Sequence, residues 1–172
     1  MKRLFTIDLK DYAEDAVHFR RPSARGIILF PERKIALVYS TKKKYYKFPG
    51  GGIHEDEDRV TALIREVREE VGLHVIPASV REFGSVLRLQ NSEMMEHTVF
   101  EQENFYYFCD VEKEAGLQDL DDYEAEAGFE LRIVNIDEAI AVDENFHSDD
   151  FFDEIMISRE ARVLKMIRET LV

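Results

Sequence analysis

Three carboxylates, Glu66, Glu69 and Glu70, crowd the run Arg65-Glu66-Val67-Arg68-Glu69-Glu70-Val71-Gly72-Leu73. Grouped carboxylates can hold a divalent cation or move protons, provided that they share one surface. At about 100° per residue, with Glu66 at zero, Glu69, Glu66 and Glu70 fall between about 300° and 40° on a helical wheel. Leu63, Val67, Val60, Val71 and Ile64 fall between about 60° and 160°, a single apolar face. Like charges at i,i+3 and i,i+4 each cost roughly 0.2–0.5 kcal/mol, and the macrodipole disfavours anions near a helix C-terminus. Local helix chemistry therefore does not explain the cluster, whereas Mg²⁺ would, because it takes carboxylate oxygens and bridges to phosphates. An isolated Glu-x-x-Glu-Glu in an acidic chain is more often a solvated face, so the surrounding residues must decide.

Those surroundings begin with a glycine-rich loop, Phe48-Pro49-Gly50-Gly51-Gly52, after which the pattern turns helical from about residue 58 to Val71 and stops at Gly72. Asp56 or Asp58 is placed to cap the helix start. Upstream, Arg25-Gly26-Ile27-Ile28-Leu29-Phe30 reads as a buried strand, and a turn at Pro31-Glu32-Arg33 leads to its antiparallel partner from Lys34 to Tyr39. Residues 3 to 8 and 15 to 20 read as short edge strands. Further strands are expected near 81 to 88, 104 to 112 and 130 to 135, and a C-terminal helix over 157 to 171. Asp119 to Glu126 reads as an acidic connection. Strict βα alternation is absent, so the fold class is α/β in the α+β sense: a mixed sheet with helices packed on it, in a single domain over residues 1–172.

Gly51, five residues, Glu57, seven residues and then Arg65 to Leu73 together resemble the Nudix box, G-x5-E-x7-R-E-U-x-E-E-x-G-U with U aliphatic, at every specified position. The strand, loop, helix and strand layout from roughly residue 23 to 141 is also similar to that family. The resemblance implies a mixed sheet sandwiched between helices, and a Mg²⁺-dependent (or Mn²⁺-dependent) attack of water on a nucleoside diphosphate linked to another moiety. It implies that Glu66, Glu69 and Glu70 hold the metal, that the backbone of Gly50, Gly51 and Gly52 approaches metal or phosphate, and that the Gly50 carbonyl joins the metal shell. Arg65, within reach of Glu69 and able to fold back to Glu57, is expected to position carboxylates. Glu66 is the general-base candidate inside the box, and Glu124 and Glu126 are the candidates on a later loop. Family members often carry Glu where His54 stands and Gly where Asp56 stands, and neither position is fixed in the box.

Composition narrows the partners. The 172 residues carry a formal net charge of -13, which repels a phosphate backbone and argues against nucleic-acid binding. Lys42, Lys43, Lys44 and Lys47 sit just before the glycine loop and could offset that charge locally. Tyr45, Tyr46, Phe48 and Tyr106 could stack on a base, although aromatics on strands more often belong to a core. Leu4-Phe5-Thr6-Ile7 is too short for a signal-peptide core, no run approaches a membrane span, and the single Cys109 reads as a buried thiol, which together point to the cytoplasm. Strands this numerous could also pair across a homodimer interface. In the family, a Pro past the box marks ADP-ribose enzymes and a Tyr there marks dinucleoside polyphosphate enzymes; Val86-Leu87-Arg88-Leu89-Gln90 has neither. A nucleoside triphosphate or related small nucleotide is the substrate left by default. An ADP-ribose or nucleotide-sugar hydrolase, and a non-catalytic nucleotide-sensing module, are the alternatives.

Overall fold

The computed structural model describes residues 1–171. Its strands are β1 (Arg3–Asp8), β2 (Val17–Arg20), β3 (Ser23–Phe30), β4 (Lys34–Ser40), β5 (Tyr46–Lys47), β6 (Gly50–Gly52), β7 (Arg81–Asn91), β8 (Thr98–Phe108) and β9 (Phe129–Asn135). The helices of four or more residues are α1 (Arg59–Val71), α2 (Asp122–Ala127), α3 (Ile136–Glu144) and α4 (Phe151–Thr170). The strands form one mixed sheet along β1-β7-β8-β3-β4-β5, with β2 on β8, β6 on β3 and β9 on β4. β3 is the hub. It runs parallel to β8 on one side, while on the other β6 pairs with its first half and β4 with its second.

Strand alternation gives the sheet two apolar faces. Ala24, Ile28, Ala36, Val38, Phe105 and Tyr107 pack with Leu63, Val67 and Val71 of α1. Their neighbours Ile27, Ile35, Leu37, Val86 and Tyr106 pack with Ile140 of α3 and Val163, Leu164 and Ile167 of α4. The result is the expected sheet between helical layers. Among the described residues, no helix is long and apolar enough to cross a membrane.

The expected hairpin of β3 and β4 is present, with Ile28 opposite Ala36. Asp58 caps α1 by accepting from the Val60 and Thr61 N–H groups, at 2.9 and 3.1 Å, and Gly72 ends it at φ 69°. Three expectations need correction. The C-terminal helix expected over 157 to 171 begins six residues earlier, at Phe151, where Asp150 caps it by accepting from the Phe152 and Asp153 N–H groups. The strand placed at 104 to 112 runs from Thr98 to Phe108, because the sequence continues as an eleven-residue partner of β7. The acidic connection contains α2, begun by an Asp121 and Glu124 capping box and stopped by Gly128 at φ 64°. Tyr45, Tyr46, Phe48 and Tyr106 are core residues, and the Cys109 thiol is buried, its pKa pushed up to about 12 by desolvation.

Candidate active site

α1 and the glycine loop meet edge to face. Gly51 pairs with Ala24 in the sheet, and a Cβ placed on it would stand 2.1 Å from Glu66 Oε2. Only a residue without a side chain lets that carboxylate lie against the loop backbone. Gly50, at φ +139°, could not carry a Cβ either, since it would meet the Ala24 carbonyl oxygen at 2.1 Å. One helical turn beyond Glu66, Glu70 is 2 % exposed and is tied to the same loop: its Oε2 accepts from the Gly50 N–H at 2.8 Å. Lys47 Nζ donates to its Oε1 at 2.5 Å, with the ammonium 4.4 Å from the centre of the Phe129 ring.

Arg65 organises the outer side. Its Nε and Nη2 engage Glu57 at 2.8 and 2.7 Å as a two-pronged pair, Nη1 reaches Glu66 at 2.7 Å and Glu69 at 3.1 Å, and Nη2 also donates to the Gly52 carbonyl at 3.0 Å. The Glu57 carboxyl is held below its ordinary pKa chiefly by this pairing. Glu66 moves the other way: burial raises its pKa, Arg65 opposes, and Glu70 raises it further. Glu69 is the most open of the three, at 30 % side-chain exposure.

One residue at the site was not singled out by the sequence. Arg25, buried on β3, donates to the Gly50 carbonyl, the atom expected to face a metal. Glu124 is brought to the site by α2: its carboxyl lies against that of Glu70, and burial followed by that like charge pushes its pKa up to about 7. Of the two later-loop base candidates, Glu126 is the one left exposed, because one helical turn cannot aim residues two apart in the same direction. His54 is solvent-facing, 3.9 Å from Glu57. Lys43 is engaged by buried Asp153 at 2.5 Å, whereas Lys42 and Lys44 are exposed.

As they stand, the described His, Cys, Asp and Glu residues include no group of three gathered to hold a metal ion. Each carboxylate is instead paired with a cation, Glu66 and Glu69 with Arg65 and Glu70 with Lys47. The donor set nonetheless fits a hard divalent cation. It is all oxygen, its members repel one another, and the side-chain-free wall at Gly51 keeps one carboxylate against open backbone.

A sheet held between helical layers, with a carboxylate-bearing helix braced on a glycine loop, defines the class of fold, and the comparisons agree. The NUDIX domain model matches residues 20–155, and the chain belongs to the Nudix family. It is 40% identical over 53 residues to an 8-oxo-dGTP diphosphatase of Buchnera aphidicola subsp. Schizaphis graminum, covering 28% of this chain and 41% of that protein. It is 32% identical over 79 residues to an RNA pyrophosphohydrolase of Hydrogenovibrio crunogenus, covering 46% and 47%. The chain spans less than half the length of the curated relatives that it matches. Among solved structures, a NUDIX hydrolase from Nitrosomonas europaea shares the fold with a TM-score of 0.54 at 18% identity, over 82% of this chain and 89% of that one.

Proposed function

We propose that this chain is a Mg²⁺-dependent pyrophosphohydrolase, with Mn²⁺ as the alternative metal, acting on a nucleoside triphosphate or related small nucleotide. The observation that carries this reading is Glu66 seated against side-chain-free Gly51 while Glu70 is fixed to the N–H of Gly50. Glu66, Glu69 and Glu70 would hold the cation. When bound, it would neutralise phosphate charge and make an attacking water more acidic.

The chain's own residues supply the rest. Arg65 keeps Glu57, Glu66 and Glu69 in one cluster, and Lys47 keeps the buried Glu70 charge compensated before substrate arrives. Water attacks phosphorus, the bridging oxygen leaves with its electron pair, and the water's proton passes to a carboxylate. Glu66 is one such acceptor. Glu124 is the other, because its pKa of about 7 suits a base working near neutral pH and it stands beside Glu70. It takes the place of Glu126 as the base candidate outside the box.

The names of the relatives, an 8-oxo-dGTP diphosphatase and an RNA pyrophosphohydrolase, support a triphosphate group as the part recognised. The net charge of -13 favours a free nucleotide over RNA. The test is a panel of nucleoside triphosphates, ADP-ribose, nucleotide sugars and 5′-triphosphorylated RNA, incubated with Mg²⁺ and followed by phosphate and pyrophosphate release. Hydrolysis of a triphosphate by the wild type, absent in a Glu69→Gln, Glu70→Gln double variant, is expected. Equal release by both proteins on every compound would overturn the reading.

A further inference from the structure

Carboxylates, not a further strand, hold the chain that leads into the glycine loop. β5 ends the strand order, so one of its edges has no partner strand. Alternate residues of an extended chain turn their N–H groups to the same edge. On that edge the Tyr46 N–H donates to Asp143 Oδ1, the Phe48 N–H to Glu160 Oε2 and the Gly50 N–H to Glu70 Oε2, each at 2.8 Å. All three carboxylates are buried, at 4 %, 0 % and 2 % exposure. Asp143 comes from α3 and Glu160 from α4, whereas Glu70 is the candidate metal ligand on α1. The loop is therefore gripped from both helical layers: α1 holds Gly50 and α4 holds Phe48.

Glu160 is itself fixed by buried partners. Its Oε1 accepts from Arg159 Nε and Nη2, both at 2.9 Å, and from the Tyr106 hydroxyl at 2.9 Å, which leaves Oε2 to Phe48. Arg25 is the second cation whose charge acts on this carboxylate, and the same guanidinium donates to the Gly50 carbonyl. Glu160 thus reaches the loop by two routes, directly at Phe48 and through Arg25 at Gly50. Pro49 leaves little slack between them, because its ring locks φ and its carbonyl accepts from the Gly26 N–H at 2.8 Å. A buried charge is costly, and a neutral acceptor would also satisfy the Phe48 N–H. What the charge adds is a hydrogen bond roughly twice as strong, and a counter-charge for Arg25.

We propose that Glu160 is a positioning residue for the candidate active centre, holding Phe48 to Gly50 from the α4 side so that the Gly50 backbone is presented to metal and substrate. This deepens the metal-dependent reading above and rests on it for what the loop does. Glu160 touches neither metal nor substrate, and it lies beyond residues 20–155, which the NUDIX domain model matches. Glu160→Gln tests the role with almost no change in shape. The amide oxygen stays with the Arg159 guanidinium, so the amide NH₂ is turned to the Phe48 N–H, donor against donor.

Backbone amide exchange, Mn²⁺ titration and steady-state kinetics are measured on the full chain. In Glu160→Gln the Phe48 and Gly50 amides are expected to exchange faster, with Mn²⁺ affinity and kcat each about tenfold lower and KM little changed. Tyr106→Phe is the control, since it removes a bond to the same carboxylate without touching the loop. It is expected to lower Tm while loop exchange, Mn²⁺ affinity and kcat stay as in the wild type. Should Glu160→Gln not fold, the Arg159→Met, Glu160→Leu double variant removes the charge pair together and is read in the same way. Exchange needs neither metal nor substrate, so the two readings fail separately. A wild type that neither binds Mn²⁺ nor turns over sinks the catalytic reading, while faster loop exchange in Glu160→Gln still supports the hold on the loop. Unchanged exchange at Phe48 and Gly50, faster exchange with wild-type Mn²⁺ affinity and kcat, or equal losses in Tyr106→Phe would each overturn the proposal.

Discussion

Substituting Gly51 with alanine isolates the contact on which the candidate centre depends. The added Cβ would stand 2.1 Å from Glu66 Oε2 and 2.5 Å from its Cδ. Ordinary contact begins near 3.4 Å, so the carboxylate would have to retreat by about 1.3 Å. What gives way is the far end of a flexible side chain, and Gly51 has no left-handed backbone that alanine would strain, so the fold is expected to survive with little change. Catalytic geometry tolerates less: a displacement of about 1 Å costs about 10²-fold, equivalent to about 2.7 kcal/mol of barrier. Gly51→Ala is therefore expected to lower kcat about 100-fold and weaken Mg²⁺ activation while its Tm stays close to that of the wild type. The neighbouring change is the control. Gly50→Ala would drive a Cβ into the Ala24 carbonyl at 2.1 Å, backbone that cannot rotate away, at φ +139°, and is expected to lose stability as well as activity. Steady-state kinetics with a Mg²⁺ titration, beside thermal melts, reads both. If Gly51→Ala keeps kcat within threefold of the wild type, Glu66 does not act from the position it occupies against the loop.

Arg65→Lys keeps the charge but loses the two-pronged grip on Glu57, and divalent-metal affinity measured by Mn²⁺ titration is expected to fall at least tenfold. The raised pKa of Glu124 carries a sign for stability. The folded state binds its proton more tightly than the unfolded state, so the associated stabilisation is complete below about 4.5 and is lost as pH rises to about 7. Urea unfolding in EDTA should therefore show the wild type losing ground to Glu124→Gln across that window, and a pH-independent difference would refute the placement of Glu124 beside Glu70. Arg88→Met removes two unpartnered buried Nη donors and is expected to stabilise the ligand-free protein by about 1–3 kcal/mol, seen as a higher urea midpoint.

Pattern made α1 and the β3–β4 hairpin legible, because α1 carries a long one-face period and the two strands are continuous apolar runs buried on both faces, with ends marked by Asp58, Gly72 and the Pro31 turn. The short elements escaped it. β5 and β6 have two and three residues, and α2 is a single capped stretch of six in an acidic run, where a solvated loop is the ordinary expectation. At the candidate site, Arg65 reaches Glu69 as their i,i+4 spacing on one helix implied, and folds back to Glu57 in the loop before the helix. Glu124 and Arg25 were harder because their roles are tertiary. Glu124 meets Glu70 only once Gly128 has turned the chain into β9, and Arg25 meets Gly50 only through the β3–β6 pairing. The capping box Asp121-x-x-Glu124 was the available signal that the acidic run held a helix and pointed Glu124 and Glu126 apart.

The most direct measurement is hydrolysis of a nucleoside triphosphate in ¹⁸O-water with and without Mg²⁺, read by mass spectrometry of the phosphate products. One ¹⁸O per turnover on a phosphoryl product is predicted, in the wild type with Mg²⁺ only. Incorporation that persists in EDTA, or at the same rate in the Glu69→Gln, Glu70→Gln variant, would contradict a carboxylate-held metal as the seat of the reaction.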